Sequence, residues 1–260
     1  MSVAQQGQVT RVSDWCVLEA GEFVQAPLSF HLDSLRWKRT GPHDPDDHQN
    51  LTVILDGLRM VAVSGSPWVD YMMLQQSLHN VATGEAAIVQ TGDGTGLSVR
   101  LGVENGFNFS IVFDGTDPDG AIWNWEFPES GSIRYASIQV ENQGSFDSTV
   151  FSILSGLLRH DEASPPVAID AWKKRTRAQI DDLPQSLIGH QGRFALGVLL
   201  DAMPMPHGTA TLTFAPKKQV PLAGIGAQIR QLNLLALEEL PGLLGGNPVE
   251  FWYENSGAGR

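Results

Sequence analysis

The residues with the most chemical potential stand in "HDPDDH", where His43 and His48 enclose Asp44, Asp46 and Asp47. Imidazole nitrogens and carboxylate oxygens are suitable ligands for zinc, iron or manganese. The spacing opposes joint coordination. Pro45 stiffens the middle, and successive side chains of an extended segment point in different directions. Metal sites of enzymes gather ligands from separated segments, and no HExxH motif supplies partners here. The stretch therefore reads as a connecting loop of good turn chemistry. Neither a metal nor a cofactor is expected.

A second candidate is "GTDPDGAIWNWE". Laid on the calcium loop of an EF-hand, Asp117 and Asp119 take positions three and five, and Gly120 takes six. Ile122 then falls at position eight and Glu126 at twelve. Gly115 stands where the first aspartate belongs, and the flanks alternate like strands instead of helices. The segment reads as a hairpin loop. Trp123 and Trp125, two apart on a strand, share one face and form either core or an aromatic anchor at an interface.

Other chemistries have less support. No GxSxG elbow occurs, and "AGIGAQI" carries only two of the three glycines of a dinucleotide fingerprint. Cys16 is the single cysteine and, between Trp15 and Val17, reads as a small buried apolar residue. Lys173, Lys174, Arg175 and Arg177 spread around a predicted helix instead of lining one stripe. Direct nucleic-acid binding is not expected there.

Charge is placed unevenly. Residues 1–150 hold 7 Lys/Arg against 19 Asp/Glu, while residues 151–260 hold 10 of each, so the net −12 lies in the first part. Such a surface attracts basic partners and repels phosphates. No apolar run is long enough to span a membrane, and the first residues lack the layout of a signal peptide. Cytoplasm is the expected compartment.

Periodicity places the supporting elements. Two strands are predicted within residues 15–39, with Phe30, Leu32 and Ser34 on one face. Asp56-Gly57 signals a tight turn between two β runs. Residues 66–84 predict a helix, with Ser66 as N-cap, Gly84 at its end, and Tyr71, Leu74, Leu78 and Val81 in a stripe. A hairpin is predicted where Leu97, Val99, Leu101 and Val103 face Phe107, Phe109, Ile111 and Phe113. Asn105-Gly106 is its expected type I′ turn. A strand pair follows around residues 121–127 and 132–142. A helix capped by Ser145 then buries Phe146, Val150, Ile153, Leu154 and Leu157. Residues 160–170 read as a linker. Beyond it come helices near 168–183 and 187–202, a strand at 208–214, a helix at 224–240 and a strand at 249–254.

The expected fold class is α+β, a largely antiparallel sheet with packed helices followed by a smaller α+β region. The expected domains are residues 1–160, acidic and antiparallel, and residues 165–260, smaller and helix-rich.

The order of elements over residues 51–159 resembles the WapI-like family of bacterial immunity proteins. The matching residues are Gly84-Glu85-Ala86 and the junction Asn142-Gln143-Gly144-Ser145-Phe146. The resemblance implies tight binding to a partner toxin without catalysis, and it carries no functional residues over. The expected function is a non-catalytic protein-binding module that occludes a basic protein partner. Asp117, Asp119, Trp123, Trp125 and Glu126 are its expected contacts, since they combine turn acids with aromatics. The alternatives are a metal-assisted hydrolase using the acidic loops, or a structural subunit of a multiprotein complex.

Overall fold

The computed structural model describes residues 2–6, 9–19, 28–40, 49–62, 81–91, 94–103, 106–118, 122, 130–143, 165–203, 206–222 and 240–256. Their strands are β1 (Ser2–Gln6), β2 (Val9–Glu19), β3 (Leu28–Thr40), β4 (Gln49–Ala62), β5 (Ala82–Thr91), β6 (Gly94–Val103), β7 (Phe107–Thr116), β8 (Ser132–Asn142), β9 (Gly208–Phe214), β10 (Val220–Pro221) and β11 (Glu250–Asn255). They join in one 11-stranded antiparallel sheet. Its order is β1 through β9 in sequence and then β11, with β10 paired beside β8. The helices are α1 (Pro165–Asp181), α2 (His190–Ala202) and the short α3 (Leu240–Leu243).

The molecule is thus mostly antiparallel β, an open sheet, and the expected α+β class is corrected. Two glycines contribute to this difference. Asp56-Gly57 is no hairpin turn, because β4 runs through it as one 14-residue strand. The register against β5 shifts between Leu55 and Leu58, and Gly57 adopts φ +71. That left-handed glycine is the signature of a bulge, which twists a strand without ending it. Gly84, expected to close a helix, lies inside β5, opposite both Leu55 and Leu101. The expected linker ends early, because α1 already starts at Pro165, where a missing N–H costs nothing. Of the helix expected at 66–84, residues 82–84 are strand and 66–80 lie outside the described residues, as do the helix capped by Ser145, the 121–127 strand except Ile122, the 224–239 part of the next expected helix and the "HDPDDH" loop.

The two strands expected within residues 15–39 are present as β2 and β3, and Leu32 and Ser34 are buried with Asp33 exposed between them. The hairpin is also where it was expected, with Leu97, Val99 and Leu101 opposite Phe113, Ile111 and Phe109. Its loop is different. The ladder ends at Gly102↔Asn108, with β6 closing at Val103 and β7 opening at Phe107, so the connection comprises residues 104–106 and not a two-residue turn.

Register fixes two faces of the sheet. Leu55, Gly84, Leu101, Phe109, Val140, Ala210 and Tyr253 form one continuous row across β4–β9 and β11. The parallel row through Leu51, Ile88, Leu97, Phe113 and Ala136 is equally apolar, and Ile88 is only 1% exposed. This is the core face, because alternate residues of each strand deliver their side chains to it. α2 covers its β9–β11 end, where Ile188, Ala195 and Phe251 pack with Leu196, Leu199 and Ala210.

α1 lies against α2 through its basic residues. Arg177 donates to Asp201 Oδ2 at 2.6 Å and to the Gly197 carbonyl at 3.2 Å, and Lys173 donates to the Asp201 carbonyl at 3.0 Å. Cations at the end of α2 complement the negative pole of its dipole. Strands of both expected domains share the sheet, since β9 pairs with β8 from Ala136↔Phe214 to Asn142↔Gly208. The outer edge of β11 is met at its start by the α1–α2 connection, through a parallel bridge between Ile188 and Val249. There the Val249 N–H donates to the Leu187 carbonyl at 2.7 Å.

Candidate functional site

The opposite face of the same strands is polar. Ile54, Glu85, Arg100, Ser110, Gln139, Thr211 and Trp252 occupy one row across it. The neighbouring row contains Thr83, Gly102, Asn108 and Glu141. Between these rows lies a groove of about 490 Å³, lined by residues of β4, β5, β6, β7 and β8. Gly102 has no side chain to fill the space between Thr83 and Asn108 in this row. A Cβ at Gly102 would fall 2.5 Å from Asn108 Oδ1, so Asn108 leans into the vacated volume.

That lean serves a carboxylate. Asn108 Nδ2 donates to Glu141 Oε2 at 3.0 Å, and Gln143 Nε2 donates to Oε1 at 2.7 Å. The Asn108 bond first, and then the Gln143 bond, hold the Glu141 carboxyl below the usual carboxylate range, against a small opposing effect of burial. Glu141 is therefore an anion at neutral pH. A carboxyl with a depressed folded-state pKa adds stability above its unfolded value, and that contribution is lost as pH falls through the folded one. Replacing Asn108 by Ala is expected to move the Glu141 titration upward toward the ordinary range. The check is a pH titration of side-chain carboxyl carbon shifts by NMR; an unmoved midpoint would contradict the assigned cause.

Two opposite charges stand side by side at the centre of the groove. Glu85 and Arg100 are directly opposite across β5 and β6, and both are exposed. Neither has a hydrogen-bond or ion-pair partner among the described residues, and the same holds for Gln139. Two ion pairs on this side of the sheet are formed. Asp56 accepts from Arg36 at 2.8 Å and from the Ser34 hydroxyl at 3.1 Å. Arg134 donates to both oxygens of Asp114, at 2.7 and 3.2 Å.

Of the expected contact residues, Asp117 alone is among the described ones. Asp117 is 3% exposed, and its Oδ2 accepts the Ile122 N–H at 2.8 Å, so it closes its own loop instead of facing outward. Asp119, Trp123, Trp125 and Glu126 lie outside the described residues. The exposed tryptophan that is described is Trp252 on β11, at 51%. Among the described residues no three His, Cys, Asp or Glu come together as a metal site, and no helix is long and apolar enough to cross a membrane.

The groove residues were within reach of the same alternation that located the core. Once Leu97, Val99 and Leu101 point inward, Ser98 and Arg100 must point outward. Fold and groove together define a mostly antiparallel β protein with an open polar face. Compared with family models, curated proteins and solved structures, the chain matches none of them.

Proposed function

We propose that this chain is a non-catalytic protein-binding module whose polar sheet face receives a basic protein partner, in a setting such as toxin immunity or defence. The observation that carries this reading is the groove itself, with Glu85 exposed and unpaired among the described residues and Glu141 held ionised at its margin. Excess acid in residues 1–150 extends the same field beyond the groove and favours fast encounter with a cation-rich surface. Antiparallel strands hold these side chains at fixed spacing, which lowers the ordering cost of binding.

The test is affinity capture from the native host followed by mass spectrometry, comparing the natural chain with the double variant Glu85→Lys, Glu141→Lys. A basic polypeptide is expected to co-purify at low salt with the natural chain, and to be lost at high salt and from the double variant. Capture that ignores both changes, or no association at any salt concentration, overturns the proposal.

A further inference from the structure

Charge order within the groove is more informative than its overall sign. We infer that the groove recognises an extended segment carrying a basic, an acidic and a second basic residue at alternate positions, laid across the strands. This rests on the reading of the polar face as the partner surface, and it specifies what that partner presents there.

The spacing argument starts from the sheet. Glu85 lies on β5, Arg100 on β6 and Glu141 on β8, so the sign alternates along the groove as minus, plus, minus. Three strand-to-strand steps separate β5 from β8, about 14 Å at about 4.8 Å per step. An extended chain advances about 3.4 Å per residue, so residues i and i+4 are also about 14 Å apart and point the same way. Glu141 sits one row along from Glu85, an offset of about 7 Å that the reach of two long lysine or arginine side chains takes up. The residue at i+2 then falls between the ends, nearest Arg100. An all-basic segment would bring a cation against Arg100. An acidic residue at i+2 turns that repulsion into a pair.

Local chemistry agrees with this order. Glu85 and Arg100 face each other without pairing among the described residues, so each retains donors or acceptors for a ligand. The groove between the two rows gives the segment's backbone room to approach, and the Gln139 amide and the Ser110 hydroxyl flank its path.

The test uses capped synthetic peptides and the intact chain. Titration calorimetry at low and moderate salt compares Lys-Thr-Asp-Thr-Lys with the all-basic Lys-Thr-Lys-Thr-Lys and with a scrambled Lys-Lys-Asp-Thr-Thr. The alternating peptide is expected to bind about five- to tenfold more tightly than either, as three partly exposed charge pairs allow. In the variant Arg100→Glu the preference is expected to invert toward the all-basic peptide. Equal affinity for the scrambled peptide, or an unchanged preference in Arg100→Glu, overturns the inference. A second copy of this chain as occupant would appear as a dimer in sedimentation that Arg100→Glu dissolves, and this also overturns it. If no peptide binds while capture of a basic protein remains sensitive to Glu85→Lys, Glu141→Lys, the charge order is wrong and the partner surface stands. If capture is insensitive to that double change, the partner surface itself is wrong.

Discussion

Replacing Ile88 by alanine is expected to lower the unfolding free energy by about 3–4 kcal/mol, within the range for burying and then deleting an aliphatic core side chain. Ile88 stands on β5 between Leu51 of β4 and Leu97 of β6, and its 1% exposure leaves almost no side that faces water. The deletion removes transfer free energy and leaves a cavity that three hydrogen-bonded strands cannot collapse around. Urea unfolding checks this, with a lower midpoint and an unchanged slope. Val89, the next residue, is 41% exposed on the other face, so Val89→Ala is expected to cost less than about 1 kcal/mol. Similar losses at the two positions would contradict the facing assigned to β5.

The second large effect is expected at Gly131, immediately before β8. Its φ of +108 is a conformation that L side chains rarely adopt, and an added Cβ would lie 2.0 Å from the Thr116 carbonyl oxygen. Neither problem can be relieved locally. Thr116 is held opposite Ser132 in the β7–β8 ladder, and the Gly131 carbonyl accepts the Leu222 N–H at 3.0 Å. Gly131→Ala therefore combines backbone strain of about 1–3 kcal/mol with displacement of paired backbone. A total loss of about 3 kcal/mol or more is expected, again read from urea unfolding. Gly96→Ala is the matched control, because a Cβ there meets nothing closer than 3.9 Å and φ is ordinary. It is expected to be neutral or stabilising by up to about 1 kcal/mol. A mild effect at Gly131 would show that the β7–β8 connection yields more easily than its hydrogen bonds imply.

The contrast between these two glycines shows how far residue type alone reaches. "GTATLTF" and "VEFWYE" were recognisable as strands because both are dense in β-branched and aromatic residues, and β9 and β11 occupy those places. Asp56-Gly57 and Gly84 were misread because glycine serves a turn, a bulge, a helix end or a close strand contact equally well. Only the neighbouring strand decides between them. The hairpin loop, in contrast, was determinable. Apolar residues at odd positions in both arms must face each other, which requires an odd number of loop residues, and a two-residue Asn-Gly turn would have set Leu101 against a polar position. The groove was less legible for a different reason. Its parts come from five strands, and no single segment contains more than three of its residues in a row. Glu85 and Arg100 become a pair only when β5 and β6 are in register.

One ladder of this sheet has consequences for how the chain reaches its shape. β1 to β7 each pair with the next strand, so those contacts close short stretches of chain. The β8–β9 ladder instead joins Asn142 to Gly208 across the whole segment that includes α1 and α2. The entropy lost in closing a loop grows with its length, and contacts between distant residues slow folding. The seam between β8 and β9 is therefore the expected late step, with β9 and β11 joining a sheet whose earlier strands have already assembled. The same order of events places the exposed edge of β8 in the transient state, which makes this strand the point where prolonged unfolding would most readily lead to association between chains.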